Sequence, residues 1–152
     1  MLPATAEFYT YGFDFASTIE AGADAEVDET VNTRHDFSPD AVMGHASLAS
    51  ASSGSIAGTP LPRYPEPNSV ANVNNLAFLS QIFIEIREND TTWFDSPVPM
   101  THICGTADRP YPFVQRPRVG AGKRFIVRLI NKSPKDIKAY VSFPGYHIPK
   151  GK

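Results

Sequence analysis

Hydrophobic side chains recur at every second position in several short stretches of this chain, and polar residues, glycine or proline bound each stretch. Alternation of period two puts one set of side chains on each face of an extended strand. From Phe8 to Ile19, one face collects Tyr9, Tyr11, Phe13, Phe15, Ser17 and Ile19, and the other Thr10, Gly12, Asp14 and Thr18. Ala21-Gly22-Ala23-Asp24 reads as the turn that follows. Glu26 to Phe37 alternates more weakly, through Val27, Val31, Thr33, His35 and Phe37, and reads as one strand interrupted at Pro39. In Ala41 to Ser50, Val42, Gly44, Ala46 and Leu48 oppose Met43, His45 and Ser47, and the small residues predict close packing on a neighbour or a bulged edge.

The strongest pattern runs from Asn75 to Arg87. Leu76, Phe78, Ser80, Ile82, Ile84 and Ile86 share one face, with Leu79, Gln81, Phe83, Glu85 and Arg87 on the other. Glu88 to Thr92 reads as a tight turn, with Trp93-Phe94 opening a return strand. Val98 to Cys104 has room for one helical turn. In Arg124 to Asn131, Phe125, Val127 and Leu129 oppose Ile126, Arg128 and Ile130. The last strand is Ile137 to Ile148, where Ala139, Val141 and Phe143 alternate before Pro144-Gly145 bends the chain.

Seven or eight short strands without a long helix predict an all-β fold: a two-sheet antiparallel β-sandwich, a jelly roll or related Greek key, with long proline-rich loops. The 14 prolines and 10 glycines, spread along the whole chain, support this by interrupting every candidate helix. At 152 residues the chain is expected to form a single domain over 1–152. A domain of this size buries roughly 70% of its unfolded surface and needs no disulfide or metal to hold a core. Between Ala49 and Asn75 a run of small residues is followed by Pro60, Pro62, Pro65 and Pro67 and then by asparagines, which predicts an extended loop or arm at about 50–75.

A formal net charge of −2 argues against a general nucleic-acid binder. No apolar run approaches the ~20 residues of a membrane span, and the start of the chain lacks the basic and apolar regions of a secretory signal. The expectation is therefore no nucleic-acid and no membrane partner. The single cysteine, Cys104, cannot form an internal disulfide.

Candidate chemistry is sparse. His35, His45, His102 and His147 show no metal-ligand spacing and read as surface or loop histidines. His102 and Cys104 are close enough to suggest a thiol–imidazole pair, but no third group orients them, and a buried structural cysteine is the better reading. Glu20, Asp24, Glu26, Asp28 and Glu29 lack the glycine and closing glutamate of a calcium loop and read as a solvated acidic edge. Gly120-Ala121-Gly122-Lys123 lacks the rest of a phosphate-binding motif and reads as a β-turn into a strand. The sequons at Asn89 and Asn131 read as turn residues. With no recognisable catalytic pair, no enzymatic activity and no cofactor are expected.

Arg109, Arg116, Arg118, Lys123, Arg124 and Arg128 form the one basic patch. It is either a solvated face or a docking site for an acidic surface. With the acidic N-terminal part, it suggests self-association through complementary ends. The candidate protein-interface residues are Arg109, Arg116, Arg118 and Tyr111, with Pro60, Pro62 and Tyr64 in the arm.

From Phe78 to Ile148 the order of elements is distinctive. Asp95-Ser96-Pro97-Val98-Pro99-Met100 follows the β-rich segment Ala77 to Arg87. Ile103-Cys104-Gly105, Arg109-Pro110-Tyr111-Pro112-Phe113 and Arg116-Pro117-Arg118 come next, then Arg124 to Asn131 and Ser142-Phe143-Pro144-Gly145-Tyr146-His147-Ile148. This half of the chain resembles a family of small virion proteins of tailed bacteriophages, described as head-decoration or cement-like. The resemblance implies a jelly-roll-type sandwich on the outer surface of the virion capsid. Its partners would be the major capsid protein and further copies of itself, as a dimer or trimer. It implies no active site. The alternative is a head–tail neck or tail-associated sandwich, possibly receptor- or carbohydrate-binding, with Trp93, Tyr111 and Tyr146 as aromatic platforms.

Overall fold

The structure is a computed structural model that describes residues 5–48, 81–104, 111–113, 117–133 and 136–150. Among these residues there are ten strands and one helical turn: β1 (Glu7–Ile19), β2 (Asp24–Thr30), β3 (His35–Pro39), β4 (Ala41–Leu48), β5 (Ile82–Glu88), β6 (Thr91–Thr92), β7 (Val98–Pro99), α1 (Met100–Ile103), β8 (Tyr111–Pro112), β9 (Arg124–Asn131) and β10 (Ile137–Pro149).

All pairing is antiparallel, in two sheets. In the first, β10 lies between β1 on one side and β4 and β3 on the other, and β8 pairs with β4. In the second, the order is β2-β9-β5, with β6 and β7 following one another along the far edge of β5. Taking β3 with β4 and β6 with β7 as broken strands, the first strand pairs with the last, the second with the next to last, and so inward to the β5–β6 hairpin. One long hairpin wound over two sheets in this way is a jelly roll. The all-β, two-sheet antiparallel sandwich read from the alternation is the architecture observed.

The core lies between the two inner faces. Phe13, Phe37, Phe125 and Phe143 are fully buried there with Ile82, Ile84, Ile86, Val127, Leu129, Ile137 and Val141. Phe125 sits edge-on to Phe13 at 5.0 Å and meets Phe143 at 4.8 Å, so the centre is an aromatic cluster spanning both sheets. Gly44 makes room for α1 and its C-cap: a Cβ there would lie 2.8 Å from the Met100 methyl and 3.3 Å from Cys104 Sγ. The close packing expected of the small residues in β4 is thus realised against α1.

Three local expectations need correction. A bulge between Phe15 and Ile19 takes Ser17 off the inner face into solvent. Glu26 to Phe37 is not one strand: the chain leaves the second sheet after Thr30 and enters the first at His35. Trp93-Phe94 does not open the return strand, which is Thr91-Thr92; both aromatics instead pack against the core. The last strand runs as expected through Pro144-Gly145, and β10 reaches Pro149 beside β3. At Gly145 the two strands come so close that a Cβ would collide with the Ser38 carbonyl oxygen and lie 2.7 Å from Pro39 Cα.

Candidate interaction surface

Of the interface residues expected from sequence, Arg118 is exposed, with Nη1 3.8 Å from Asp36 Oδ2. The Tyr111 backbone pairs with Val42 in β8, while its side chain lies outside the described residues, as do Arg109, Arg116, Pro60, Pro62 and Tyr64. The arm expected at 50–75 falls outside them as well.

Arg124 and Arg128 of the basic patch are already engaged. β2 and β9 are neighbours, so the acidic stretch and the arginines share the outer face of the second sheet. Arg128 Nε and Nη2 each lie 2.7 Å from Asp24 Oδ2, and Arg124 Nε lies 2.9 Å from Asp28 Oδ2. Arg87 on β5 reaches across to Glu26 at 2.5 Å, and its Nε, 3.6 Å from Glu85, makes no hydrogen bond. Two of the arginines expected to join copies, Arg124 and Arg128, are therefore neutralised within one chain, and Arg87–Glu26 adds a third pair on the same face. Sited on an exposed face, each contributes about 0.2–1 kcal/mol.

Other singled-out residues fall into structural roles. Cys104 is buried beside Gly44 while His102 is exposed, so they do not form a thiol–imidazole pair. Trp93 stacks on Phe125 with ring centroids 5.6 Å apart, which removes it as a surface platform. Gly120 to Lys123 is a β-turn closed by the Lys123 N–H donating to the Gly120 carbonyl at 3.1 Å. Asn89 takes a positive φ of 52° in the β5–β6 turn, and its Oδ1 accepts the Arg124 N–H at 2.9 Å. Asn131 is buried, its Nδ2 donating to the Ile19 and Glu20 carbonyls.

Among the described residues, the largest exposed apolar side chains lie on β1 and its partner β10. Phe8 is 66% and Tyr9 46% exposed, and Tyr140 is 37% exposed with its hydroxyl end lying over Gly12. Phe8 meets Tyr146 edge-on at 5.9 Å on the outer face. Tyr9, on the other side of the strand, stacks on His147 at 4.3 Å. Among the described residues β1 pairs only with β10, and no described strand covers its other edge. The sequence reading placed Tyr9 on the face of Tyr11 and Phe13 but gave Phe8 no face and had no means of telling that β1 is an edge strand.

Behind Tyr9 lies a polar network that the sequence reading missed. The Tyr11 hydroxyl accepts the Asn32 N–H at 3.3 Å and sits 2.9 Å from His147 Nε2. Donation of the hydroxyl proton to Nε2 satisfies both groups and leaves the His147 proton on Nδ1. Asn32 Oδ1 accepts the Arg34 N–H at 2.8 Å and lies 3.2 Å from His35 Nδ1. The two imidazoles are 5.6 Å apart. Burial pushes the His147 pKa down, and the neighbouring His35 adds to this, while Glu7 opposes it. Burial pushes the Tyr11 pKa up. His147 is thus buried, not a surface histidine. The available signal was its phase: it stands in register with Ala139, Val141 and Phe143 once the strand continues through Gly145.

Among the described residues no group of three His, Cys, Asp or Glu is placed to hold a metal ion, and no helix is long and apolar enough to cross a membrane. No protein-family model and no curated protein matches the chain.

Proposed function

We propose that this chain is a non-catalytic virion protein of a tailed bacteriophage, a decoration or cement protein that binds the outer surface of the major capsid protein lattice and stabilises the head. The observation that carries a binding role is the open β1 edge, where Phe8 and Tyr9 are exposed on a sandwich whose other charged face is internally paired. Exposed aromatics beside an open edge suit a surface that another protein covers. The resemblance of Phe78 to Ile148 supplies the virion setting. A rigid two-sheet core suits a protein that must bridge neighbouring subunits, and a dimer or trimer would multiply weak contacts on a repeating lattice.

The test is the copy number and position of the chain in purified particles, by quantitative gel and cryo-electron microscopy. Hundreds of copies over the shell support the cement role. A few copies at one vertex move the protein to the neck or tail, and absence from particles overturns the virion assignment.

A further inference from the structure

We propose that the open edge of β1 receives an extended segment of a partner protein, rich in lysine or arginine, as an added strand. The inference rests on the protein-binding reading above and names the occupant of that surface.

The first ground is the main chain. From Glu7 to Phe15 the pairing of β1 with β10 runs without a break in register, and the bulge begins only after Phe15. A regular strand paired on one side presents a regular row of N–H and C=O groups on the other, which is a template for strand addition. Exposed edges are usually protected by proline, lysine or bulges. Glu7 to Phe15 contains no proline, lysine or bulge, and its only charges are the carboxylates Glu7 and Asp14. The contrast with β2, the edge of the second sheet, is direct: its alternate residues Asp24, Glu26 and Asp28 are exposed carboxylates held by arginines of β9 and β5.

The second ground is apolar area. Phe8 and Tyr9 project to opposite sides of β1, and both are exposed. A strand laid along this edge brings side chains beside each, on the outer face next to Tyr146 and on the inner side next to His147.

The charge chooses the occupant. No lysine, arginine or histidine precedes Arg34, whereas the same stretch holds Glu7, Asp14, Glu20, Asp24, Glu26, Asp28 and Glu29. Asp24, Glu26 and Asp28 are neutralised by arginines. Glu7, Asp14, Glu20 and Glu29 are exposed and make no ion pair among the described residues. A segment carrying lysine or arginine meets complementary charge along the edge. A second copy pairing β1 with β1 brings only further carboxylates, so self-association through this edge is disfavoured.

The probe is a ten-residue peptide of alternating lysine and threonine, with a glutamate–threonine peptide as its control, added to the full 152-residue chain. Amide exchange by NMR and a binding isotherm at two salt concentrations are recorded. The lysine peptide is expected to slow exchange at alternate amides between Glu7 and Phe15, and to bind more weakly as salt is raised. The glutamate peptide is expected not to bind. The double substitution Glu7→Lys/Asp14→Lys, at two exposed positions, is expected to weaken the lysine peptide about tenfold, with thermal unfolding and circular dichroism confirming that the variant folds. Equal binding of both peptides, no binding of the lysine peptide, or full binding by the double variant would overturn the proposal. So would concentration-dependent protection of the same amides without peptide, which assigns the edge to a second copy. If the double variant still decorates particles, strand addition fails while the virion reading stands; absence from particles with peptide binding intact does the reverse.

Discussion

The Tyr11 hydroxyl and His147 Nε2 lie 2.9 Å apart inside the sandwich, joining strands 136 residues apart in the chain. Because Tyr11 also accepts the Asn32 N–H, one hydroxyl ties the first strand, the last strand and the β2–β3 connection together. Removing that oxygen leaves the imidazole nitrogen and a backbone N–H without their partner. Tyr11→Phe is expected to destabilise the protein by about 1–3 kcal/mol, read as a lower urea midpoint with an unchanged m-value. An unchanged midpoint would show that water replaces the hydroxyl without loss.

Acid should act on the same network. The folded state holds His147 below the usual histidine value, through burial and the nearby His35. As the pH falls the unfolded chain takes up this proton first. The stability contributed by neutral His147 is therefore present above about pH 6.5 and is lost as the pH drops through the lower folded-state value. Stability curves between pH 8 and 5 should show this decline, and His147→Gln should flatten it. A decline of the same size in the variant would place its cause in the carboxylates.

At alkaline pH the ordering reverses. Burial raises the Tyr11 pKa, so its contribution is present below about pH 10 and is lost as the pH rises through the folded-state value. Tyr11→Phe should remove this alkaline component from the stability curve. Persistence of the whole alkaline loss in the variant would show that Tyr11 is not its source.

Two glycines make a matched pair. Gly145→Ala places a methyl against the backbone of Ser38 and Pro39, which cannot swing aside as a side chain does. A cost of about 3 kcal/mol is expected. Gly22 has a φ of +79° but open space around its Cβ position, so Gly22→Ala meets backbone strain alone, about 1 kcal/mol. Thermal unfolding of both variants checks the order, and equal losses would contradict the close approach of β3 to β10.

The ion pairs on the second sheet should add little. A double-mutant cycle on Arg128 and Asp24 is expected to give a coupling below about 1 kcal/mol that shrinks as salt is added. A larger, salt-insensitive coupling would mean that the pair is shielded from solvent.

By itself the sequence determined the regular strands and which of their faces is apolar, but not the breaks at Thr30–His35 and Phe15–Ile19. Ile82, Ile84 and Ile86 in β5, and Phe125, Val127 and Leu129 in β9, were legible as core positions and are fully buried, because the two-residue period is a property of each strand alone. Strand order was not legible, since alternation does not say which strand lies beside which. Only the tertiary structure decided that the arginines of β9 meet the carboxylates of β2, that β1 is an edge, and that His147 faces inward beside Tyr11. Each depends on contacts between residues about a hundred or more positions apart in the chain. Such contacts arise when the long hairpin winds its first strands against its last.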